Sequence, residues 1–230
     1  MMKFLFLNSA IMRPSNSAMS LNDLKHLVRI GEGMFLEFKR TVSSPEKIAR
    51  EISAFANTNG GTLLVGVDDN KSLYGVESYY EQEFLLEQAA RDYCSPALDY
   101  QLEFVPYRKR EIMLMKVPEA VDKPVYVKNG KRNKVFVRKD DKSIRANRET
   151  IEVLKRSVNQ EGVTFEYGPK EQKLMRYLSE YERITVGEYS RIANISMRHA
   201  SKTLVDLTSA GILELFPSER NDYFTLAQPS

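Results

Sequence analysis

The stretch AFANTNGGTLLVGVDD, residues 54–69, contains the end of one predicted element and the whole of the next. Upstream of it, Ser43 and Glu46 form a capping-box pattern and a proline suits the first helical turn, so a helix is predicted over Pro45 to Asn57. The Asn-Gly-Gly sequence at 59–61 supplies residues that adopt left-handed conformations and turn the chain out of the helix. The apolar run Thr62 to Val67 that follows predicts a buried strand.

Around this helix and strand, the hydrophobic pattern predicts further elements of both kinds. The predicted helices are Leu21 to Arg29, Glu83 to Tyr93 and Arg148 to Val158, and the predicted strands are Phe35 to Lys39, Leu102 to Pro106, Ile112 to Val117, Val125 to Lys128 and Val135 to Arg138. The elements alternate irregularly, and Asn129-Gly130 is a hairpin signal. This pattern favours an α+β fold with a mixed sheet over a doubly wound one.

The segment after residue 158 predicts a second, smaller domain. Residues 159–168 lack a helical period and contain two glycines, so they are predicted to be a linker. Three helices are predicted next, over Lys170 to Tyr181, Val186 to Ala193 and Met197 to Ala210. Strands over Ile212 to Phe216 and Tyr223 to Leu226 then complete a winged helix-turn-helix. The expected organisation is a flexible arm at 1–20, an α+β domain at 21–158, the linker, and the winged helix at 169–230.

The bulk composition excludes several classes of protein. Of 230 residues, 42% are hydrophobic and 28% are charged, which is typical of a folded globular chain and not of disorder. Charges interrupt every apolar run before the roughly 20 residues that a membrane span needs, and the N-terminus lacks a signal-peptide core. Cys94 is the only cysteine, which rules out an intramolecular disulfide and suits a reducing compartment. We expect a soluble, cytoplasmic protein in which Cys94 is buried.

Three carboxylates are candidates for a metal site. Glu32 and Glu37 lie on either side of the start of a predicted strand, and Asp68 follows the end of another. Carboxylates that converge from neighbouring strand ends can bind Mg²⁺ or Mn²⁺, which prefer oxygen ligands and can activate water at a phosphodiester. The simpler alternative is that Glu37 pairs with a surface lysine and Asp68 is a turn residue, and the spacing alone favours it.

The glycine turn is a second candidate site. Asn57, Gly60, Gly61 and Thr62 lie at a helix-to-strand junction, where backbone N–H groups could approach the phosphate of a nucleotide such as ATP. The order is inverted relative to a P-loop, however, and the chain contains no G-x-x-x-x-G-K-[ST] motif. A structural turn is therefore favoured over ATP binding.

Positive charge is concentrated in one segment of the chain, although the net charge is only +3. Between residues 123 and 148 there are ten Lys or Arg residues against two Asp. That density predicts phosphate contacts, with Tyr126 and Phe136 available for stacking if a strand is single. The alternative is a solvated hairpin whose lysines keep a sheet edge soluble. The predicted contacts in this segment are Lys128, Lys131, Arg132, Lys134, Arg138, Lys139, Lys142 and Arg145.

The predicted winged helix supplies a further candidate interface. Arg198, His199 and Lys202 lie in the early turns of the recognition helix, where side chains reach base edges in the major groove, and Arg220 lies in the wing. Basic and acidic residues balance at eight each over residues 170–230, so dimerisation or protein docking is an open alternative to DNA reading. His26 and His199 are the only histidines, which leaves little material for a zinc site or a histidine relay.

Taken in order, several of these motifs resemble a known family. Similarity to the Schlafen/Alba-like domain, often described as a DNA-binding domain, is carried by Gly31-Glu32, Glu37-Phe38-Lys39, the stretch 54–69 and Gly75, and then by Pro124-Val125-Tyr126, Val135-Phe136-Val137-Arg138, Ala146 and Arg148. The resemblance covers the chain from Leu21 to Val158. It implies nucleic-acid binding and, by likeness to the animal Schlafen endoribonucleases, a metal-dependent site at Glu32, Glu37 and Asp68.

The resemblance and the residue patterns together favour a protein that binds DNA or RNA. Bacterial relatives are mostly described as regulators or, loosely, as ATP-binding proteins, and we expect a DNA-binding transcriptional regulator that needs no cofactor. The alternative is a Schlafen-like endoribonuclease with Mg²⁺ or Mn²⁺ as its cofactor. Those nucleases join two such lobes where this chain has one, so a homodimer is expected if the protein is to grip RNA.

Overall fold

The computed structural model describes residues 19–128, 130, 132–158 and 167–228. Its helices are α1 (Leu21–Ile30), α2 (Pro45–Asn57), α3 (Tyr79–Gln88), α4 (Arg148–Val158), α5 (Pro169–Tyr181), α6 (Val186–Ala193) and α7 (Met197–Ser209), and α3 continues into a π-helical turn, Ala89–Tyr93. Its strands are β1 (Leu36–Lys39), β2 (Gly61–Val65), β3 (Cys94–Ser95), β4 (Gln101–Tyr107), β5 (Arg110–Val117), β6 (Tyr126–Val127), β7 (Lys134–Lys139), β8 (Lys142–Arg145), β9 (Arg183–Thr185), β10 (Leu213–Phe216) and β11 (Tyr223–Leu226).

These strands form three sheets. The first has the order β1-β2-β5-β4, in which β1 and β2 are parallel and the other neighbours are antiparallel. The second has the order β3-β6-β7-β8 and the third the order β10-β11-β9, and both are antiparallel throughout. The parallel and antiparallel pairs within the first sheet confirm the prediction of an α+β fold with a mixed sheet.

Helix α2 lies between the first two sheets and contributes to a core shared by both. Its buried residues Ile52 and Phe55 pack with Leu63 and Met113 of the first sheet and with Phe136 of the second. Helix α1 packs on the opposite face of the first sheet, and α4 packs on the opposite face of the second. The layers therefore follow one another as α1, first sheet, α2, second sheet and α4, which places α2 where its contacts can join the two sheets.

The two ends of α2 are set by local hydrogen bonds. Ser44 is the N-cap, and its side chain accepts a hydrogen bond from Lys47 N, so the predicted capping box of Ser43 with Glu46 is wrong by one residue. At the other end, Gly60 N donates to Phe55 O, and Gly60 alone of the three residues 59–61 has a positive φ, at +74°. A Cβ at Gly60 would lie 2.8 Å from Val117 O, so only glycine fits this turn.

Residues 167–228 have a core of their own. It includes Leu174, Leu178, Tyr189, Leu204 and Phe224. Thr185 caps α6 and Ser196 caps α7 through hydrogen bonds from the backbone N–H groups three residues on. The third sheet contributes Ile184, Leu213 and Phe224 to this core. In the chain, β9 precedes α6 and the β10-β11 hairpin follows α7.

Several element positions differ from the sequence-based predictions, among them strand β3, which was not predicted and pairs with β6. Strands β8 and β9 were not predicted, because each is short and has a single buried apolar residue; they are strands because they pair with β7 and β11. Helix α3 begins at Tyr79, four residues before the predicted start, because the Ser78 side chain accepts a hydrogen bond from Glu81 N and caps it there. The apolar residues of α3 do not lie on one face, so hydrophobic periodicity does not indicate where this helix begins.

Some predicted features fall beyond these ranges. The arm predicted at 1–20 lies outside the described residues as far as residue 18, and Ser20 is the N-cap of α1. The linker predicted at 159–168 lies outside them as far as residue 166, and so do Asn129 and Lys131. Among the helices that are described, none is both long enough and apolar enough to cross a membrane.

Candidate nucleic-acid interface

A buried arginine on β7 lies at the centre of the candidate site. Arg138 is 3% exposed. Its guanidinium donates hydrogen bonds to Glu37 Oε2 at 3.0 Å, Glu51 Oε2 at 3.4 Å, Ser143 Oγ at 3.1 Å and Gly33 O at 2.6 Å. The predicted contact of Arg138 with nucleic acid gains no support from this geometry, because the side chain is buried and both terminal nitrogens of its guanidinium donate to protein acceptors; only its Nε has no partner among the described residues.

Glu37 is held between two cations. Alternation along β1 places Glu37 and Lys39 on the same side of the strand, and their side chains form an ion pair. The other carboxylate oxygen of Glu37 accepts the hydrogen bond from Arg138, and only 8% of the residue is exposed. Glu37 is therefore an ion-pair partner, as the simpler alternative had it, with a buried arginine added to the lysine.

Glu32 is exposed at the edge of the same cluster. Its Oε1 accepts a hydrogen bond from Phe38 N at 2.8 Å. Partial burial raises the pKa of the Glu32 carboxyl above its ordinary value, the hydrogen bond from the Phe38 N–H opposes the rise, and the neighbouring Glu37 carboxylate adds to it. One oxygen of Glu32 is thus engaged by the backbone of β1.

Asp68, the third carboxylate of the predicted metal site, lies in the turn after β2. It accepts a hydrogen bond from Asp69 N at 3.0 Å and lies 3.8 Å from Arg40. Within the ranges that the structure describes, no group of three or more His, Cys, Asp or Glu side chains is placed to hold a metal ion. The donor set of Glu32, Glu37 and Asp68 does not fit Mg²⁺ or Mn²⁺, because cations of the protein already neutralise Glu37.

Asn57 does not belong to a phosphate site. It is 2% exposed, its side-chain amide donates to Val125 O and Phe136 O at 2.9 Å each, and its carbonyl accepts from Val125 N at 2.7 Å. The predicted phosphate contact of Asn57 therefore gains no support, because every polar atom of the side chain is bound within the protein. Its role is to attach the second sheet to the end of α2.

The glycine turn beside Asn57 offers few free donors. Gly60 N donates to Phe55 O and Thr62 N donates to Phe35 O. Gly61 pairs with Val117 in the sheet, and a Cβ at Gly61 would lie 2.2 Å from the Phe55 ring. Close packing thus explains these glycines, and the nucleotide hypothesis for Gly60, Gly61 and Thr62 gains no support from the geometry.

Other cations of segment 123–148 form what we call the basic surface. It consists of Lys128, Arg132, Lys134, Lys139, Lys142 and Arg145. Within the described residues, none of these six makes an ion pair with a carboxylate, whereas Lys123 and Arg138 of the same segment do. Four are exposed, and Lys134 and Lys139 are half-buried. Cations without a protein partner keep their full charge available for phosphates.

Part of the basic surface lines an open cleft, which is formed mainly by residues between 37 and 145 and is bordered by Glu219. This first cleft has a volume of about 660 Å³ and lies between α2, the β7-β8 hairpin and the turn 217–222. The cations that line it are Arg50, Lys134, Lys142 and Arg145. A second cleft of about 530 Å³ shares Arg145 and Glu219 with the first and continues along the start of α4.

A polar cluster fixes the turn 217–222 against the start of α4. Asp222 is 4% exposed and accepts hydrogen bonds from Asn147 Nδ2 at 2.8 Å, Thr150 Oγ1 at 2.7 Å and Ser218 N at 3.0 Å. Because Asn147 follows β8 by two residues, these contacts hold the turn beside Arg145, at the end of the basic surface.

The four candidates in the C-terminal part are all accessible. Three lie in the first two turns of α7 and one lies in the turn between β10 and β11; they are Arg198, His199, Lys202 and Arg220, and all are exposed. Between them, Ser201 is buried and its Oγ donates to Glu149 of α4 at 2.6 Å. Helix α7 therefore packs one side on α4 and leaves its first turn open.

Sequence reasoning missed several residues of the site. Glu51 and Ser143 complete the Arg138 cluster, and Asp222 fixes the turn 217–222. One signal was available: Phe136 and Arg138 are two apart on a strand and share a face, so a buried phenylalanine implies a buried arginine. The contacts of Asp222 with Asn147 and Thr150 have no local signal, because these two partners lie more than 70 residues away along the chain.

Comparison with known proteins defines the class of this fold. The family described as "Schlafen, AlbA_2" matches residues 32–147. The chain belongs to this family, and its membership suggests nucleic-acid binding. No curated protein matches the chain.

Several solved structures are similar to the chain, and two of them are as follows. One is the solution structure of the N-terminal domain of a protein from Nitrosomonas europaea, described as related to the ATP-dependent DNA helicase RecG: 24% identity, 50% of this chain and 84% of that chain covered, TM-score 0.43. The other is the crystal structure of the DIP2311 protein from Corynebacterium diphtheriae: 18% identity, 67% of this chain and 30% of that chain covered, TM-score 0.41.

Proposed function

We propose that the protein is a DNA-binding transcriptional regulator that contacts nucleic-acid phosphates through the basic surface. The observation that carries the proposal is the group of six cations around the β7-β8 hairpin that have no carboxylate partner among the described residues. Many other cations of the fold are paired, for example Lys116 with Glu103 and Arg110 with Glu77. An unpaired group of this kind is what the release of counterions from a polyanion requires.

The C-terminal part supports DNA as the target. We propose that residues 169–230 are a winged helix-turn-helix domain, following an α+β domain at 21–158. The order α5, β9, α6, α7, β10, β11, with an antiparallel sheet β10-β11-β9, is the order that such a domain has. Arg198, His199 and Lys202 would then meet base edges, and Arg220 would meet the backbone from the wing. A homodimer on a two-fold symmetric site would suit this mode of binding.

The endoribonuclease alternative has less support. It needs Glu37 as a metal ligand, and Glu37 is bound to Arg138 and Lys39. A carboxylate neutralised by two protein cations is a poor ligand for a divalent ion.

The proposal is tested by the salt dependence of binding. In a triple variant Lys128→Ala, Arg132→Ala and Lys139→Ala, the slope of log K against log salt for duplex DNA should become less steep by about 2 to 3, since each lost phosphate contact removes about 0.9. These three residues do not line the first cleft. A matched control replaces three exposed cations elsewhere, Lys25, Arg108 and Lys109, and should leave the slope unchanged. Equal slopes in the two triple variants would contradict the proposal.

Gel retardation assays distinguish binding of nucleic acid from its cleavage. Wild type and Glu37→Gln are incubated with duplex DNA and structured RNA, with Mn²⁺ or with EDTA. Salt-sensitive retardation without cleavage is expected. Cleavage that requires Mn²⁺ and is lost in Glu37→Gln would favour the nuclease instead.

A further inference from the structure

The two adjoining clefts make one groove that runs beneath the turn 217–222. They share Arg145 and Glu219, so the floor is continuous from α2 to the start of α4. The first cleft alone, at about 660 Å³, is within the range of about 300 to 1,000 Å³ that is usual for small-molecule sites. A groove that extends past that volume on one side suits a chain molecule better than an isolated small ligand.

The groove has more free positive charge than a count of its acidic and basic residues suggests, because some of its carboxylates are already paired. Glu37 and Glu51 line the first cleft, but both are bound to the buried guanidinium of Arg138. A third carboxylate there, Glu46, is also engaged in an interaction of its own. Arg138 and Lys39 together balance Glu37 and Glu51. Even with Glu46 counted as charged, three carboxylates, Glu46, Asp141 and Glu219, then stand against four cations: Arg50, Lys134, Lys142 and Arg145. The first cleft therefore attracts anions, with two carboxylates left to accept hydrogen bonds.

Arg50 provides a flat surface in this cleft. Its guanidinium carbon lies 5.0 Å from the centroid of the Phe136 ring, which forms part of the floor. A guanidinium plane supported by an aromatic ring is a surface on which an unpaired base stacks. Base pairs in an intact duplex cannot use it, because their faces are already covered by neighbouring pairs.

The carboxylates of Asp141 and Glu219 also favour an unpaired base as the ligand. Amino groups on the pairing edges of bases donate hydrogen bonds, and carboxylates such as Glu219 accept them. In a duplex those edges are occupied by pairing, so they are not available to Glu219. Asp222 fixes the turn that carries Glu219, so the acceptor is held in place beside Arg145.

We propose that the groove binds an unpaired nucleotide segment of a nucleic-acid strand, with phosphates on Lys134, Lys142 and Arg145 and a base stacked on Arg50. The proposal rests on the proposed function and adds a preference to it: the protein binds targets in which unpaired nucleotides adjoin a duplex. A free nucleotide presents the same chemistry, and the experiment distinguishes the two sources.

The test uses two labelled DNA hairpins of the same stem sequence, one fully paired and one with a bulge of unpaired nucleotides. Fluorescence anisotropy is measured at one salt concentration for wild type, Arg50→Ala and Lys47→Ala. Lys47 is the matched control, because it is an exposed cation on the same helix that does not line the groove. Wild type and Lys47→Ala should prefer the bulged hairpin by about tenfold, and Arg50→Ala should lose that preference while binding the paired hairpin as before.

The outcomes separate this proposal from the proposed function. Equal affinity of wild type for both hairpins, with the salt dependence of the basic surface intact, overturns the groove proposal and leaves the proposed function standing. Absence of binding to either hairpin overturns both. Displacement of the bulged hairpin by adenosine monophosphate at the same nucleotide concentration assigns the groove to a free nucleotide. That result overturns the proposal that the groove binds a segment of a nucleic-acid strand. Loss of preference in Lys47→Ala as well as in Arg50→Ala also overturns it.

Discussion

Replacement of Arg138 by methionine tests whether this residue stabilises the fold rather than binding nucleic acid. Methionine keeps an unbranched side chain of similar reach but has no charge and no donor. The substitution leaves the carboxylates of Glu37 and Glu51 in the protein without the guanidinium that neutralises both. We expect the N-terminal part of the chain to become less stable, while the folded protein keeps most of its affinity for DNA.

The magnitude follows from the contacts that are lost. Arg138 donates four hydrogen bonds, to Glu37, Glu51, Ser143 and Gly33 O, and removal of one partner from a buried ion pair costs about 3 to 5 kcal/mol. The sum of four separate bonds would be larger, but Glu37 keeps Lys39 and Glu51 keeps Ser143 as partners. We therefore expect a loss of about 3 to 5 kcal/mol and, at an m-value of about 3 kcal/mol/M, a fall in the urea midpoint of about 1 to 1.7 M.

The assay is urea unfolding followed by circular dichroism and by labelling of Cys94. Cys94 is the only cysteine and is buried in the same core as Phe55, so its labelling reports on the unfolding of the part that contains Arg138. The matched control is Lys139→Met, which removes a neighbouring half-buried cation that makes no ion pair among the described residues. Lys139→Met should change stability by less than about 0.5 kcal/mol and should weaken DNA binding more than Arg138→Met does.

The reverse pattern would refute this reasoning. If Arg138→Met unfolds at the wild-type urea concentration and loses DNA affinity, while Lys139→Met binds normally, Arg138 is a contact residue and its burial is not maintained in solution.

Two further predictions concern buried polar groups. Asn57→Ala should destabilise the protein by about 3 kcal/mol or more in the same urea assay, because it leaves Val125 N, Val125 O and Phe136 O without partners, whereas the exposed Asn59→Ala should be neutral; equal losses would contradict the assigned role. Burial raises the pKa of the Cys94 thiol from 9.0 to about 12, so at pH 8 its labelling by an aromatic disulfide should be about a thousandfold slower than in urea, and a rate near that of a free thiol would contradict it. Since the folded pKa is the higher one, the stability contributed by Cys94 is complete below pH 9 and is lost as the pH rises toward 12; Cys94→Ala should remove that part of the alkaline loss.

Local signals in the sequence were sufficient for most of the fold. The helix over Pro45 to Asn57 was predicted to the residue, because a proline starts it and an Asn-Gly-Gly turn ends it. Of the two alternatives offered for Glu37, pairing with a lysine is the one that the structure shows, and the partner is Lys39. Strand β8 was missed because a strand with one apolar residue exists only through its neighbour, and the pairing with β7 is invisible to local patterns.

The candidate site was less predictable, because burial decides which charged residues are accessible. Sequence alone treats Arg138 and Lys139 as equivalent members of a basic segment. In the structure Arg138 faces α2 and is 3% exposed, while Lys139 is half-buried and makes no ion pair among the described residues. The bond of Glu51 to Arg138 and the bond of Asn147 to Asp222 carry no local signal, since each forms only when distant segments meet.

The residues that identify the family are mostly structural, and this has a consequence for where nucleic acid binds. Asn57 bonds to the strands at Val125 and Phe136, and Thr58 Oγ1 accepts from Arg138 N, so the end of α2 attaches the second sheet to the first. Because these residues are committed to the scaffold, our proposal assigns the contacts with nucleic acid to exposed cations outside the shared motifs. On that proposal the motif at 54–69 acts on binding indirectly: it sets the position of the second sheet, and the second sheet presents the basic surface. A change in the motif should then impair binding in proportion to the loss of stability, whereas a change in the basic surface should impair binding and leave stability intact.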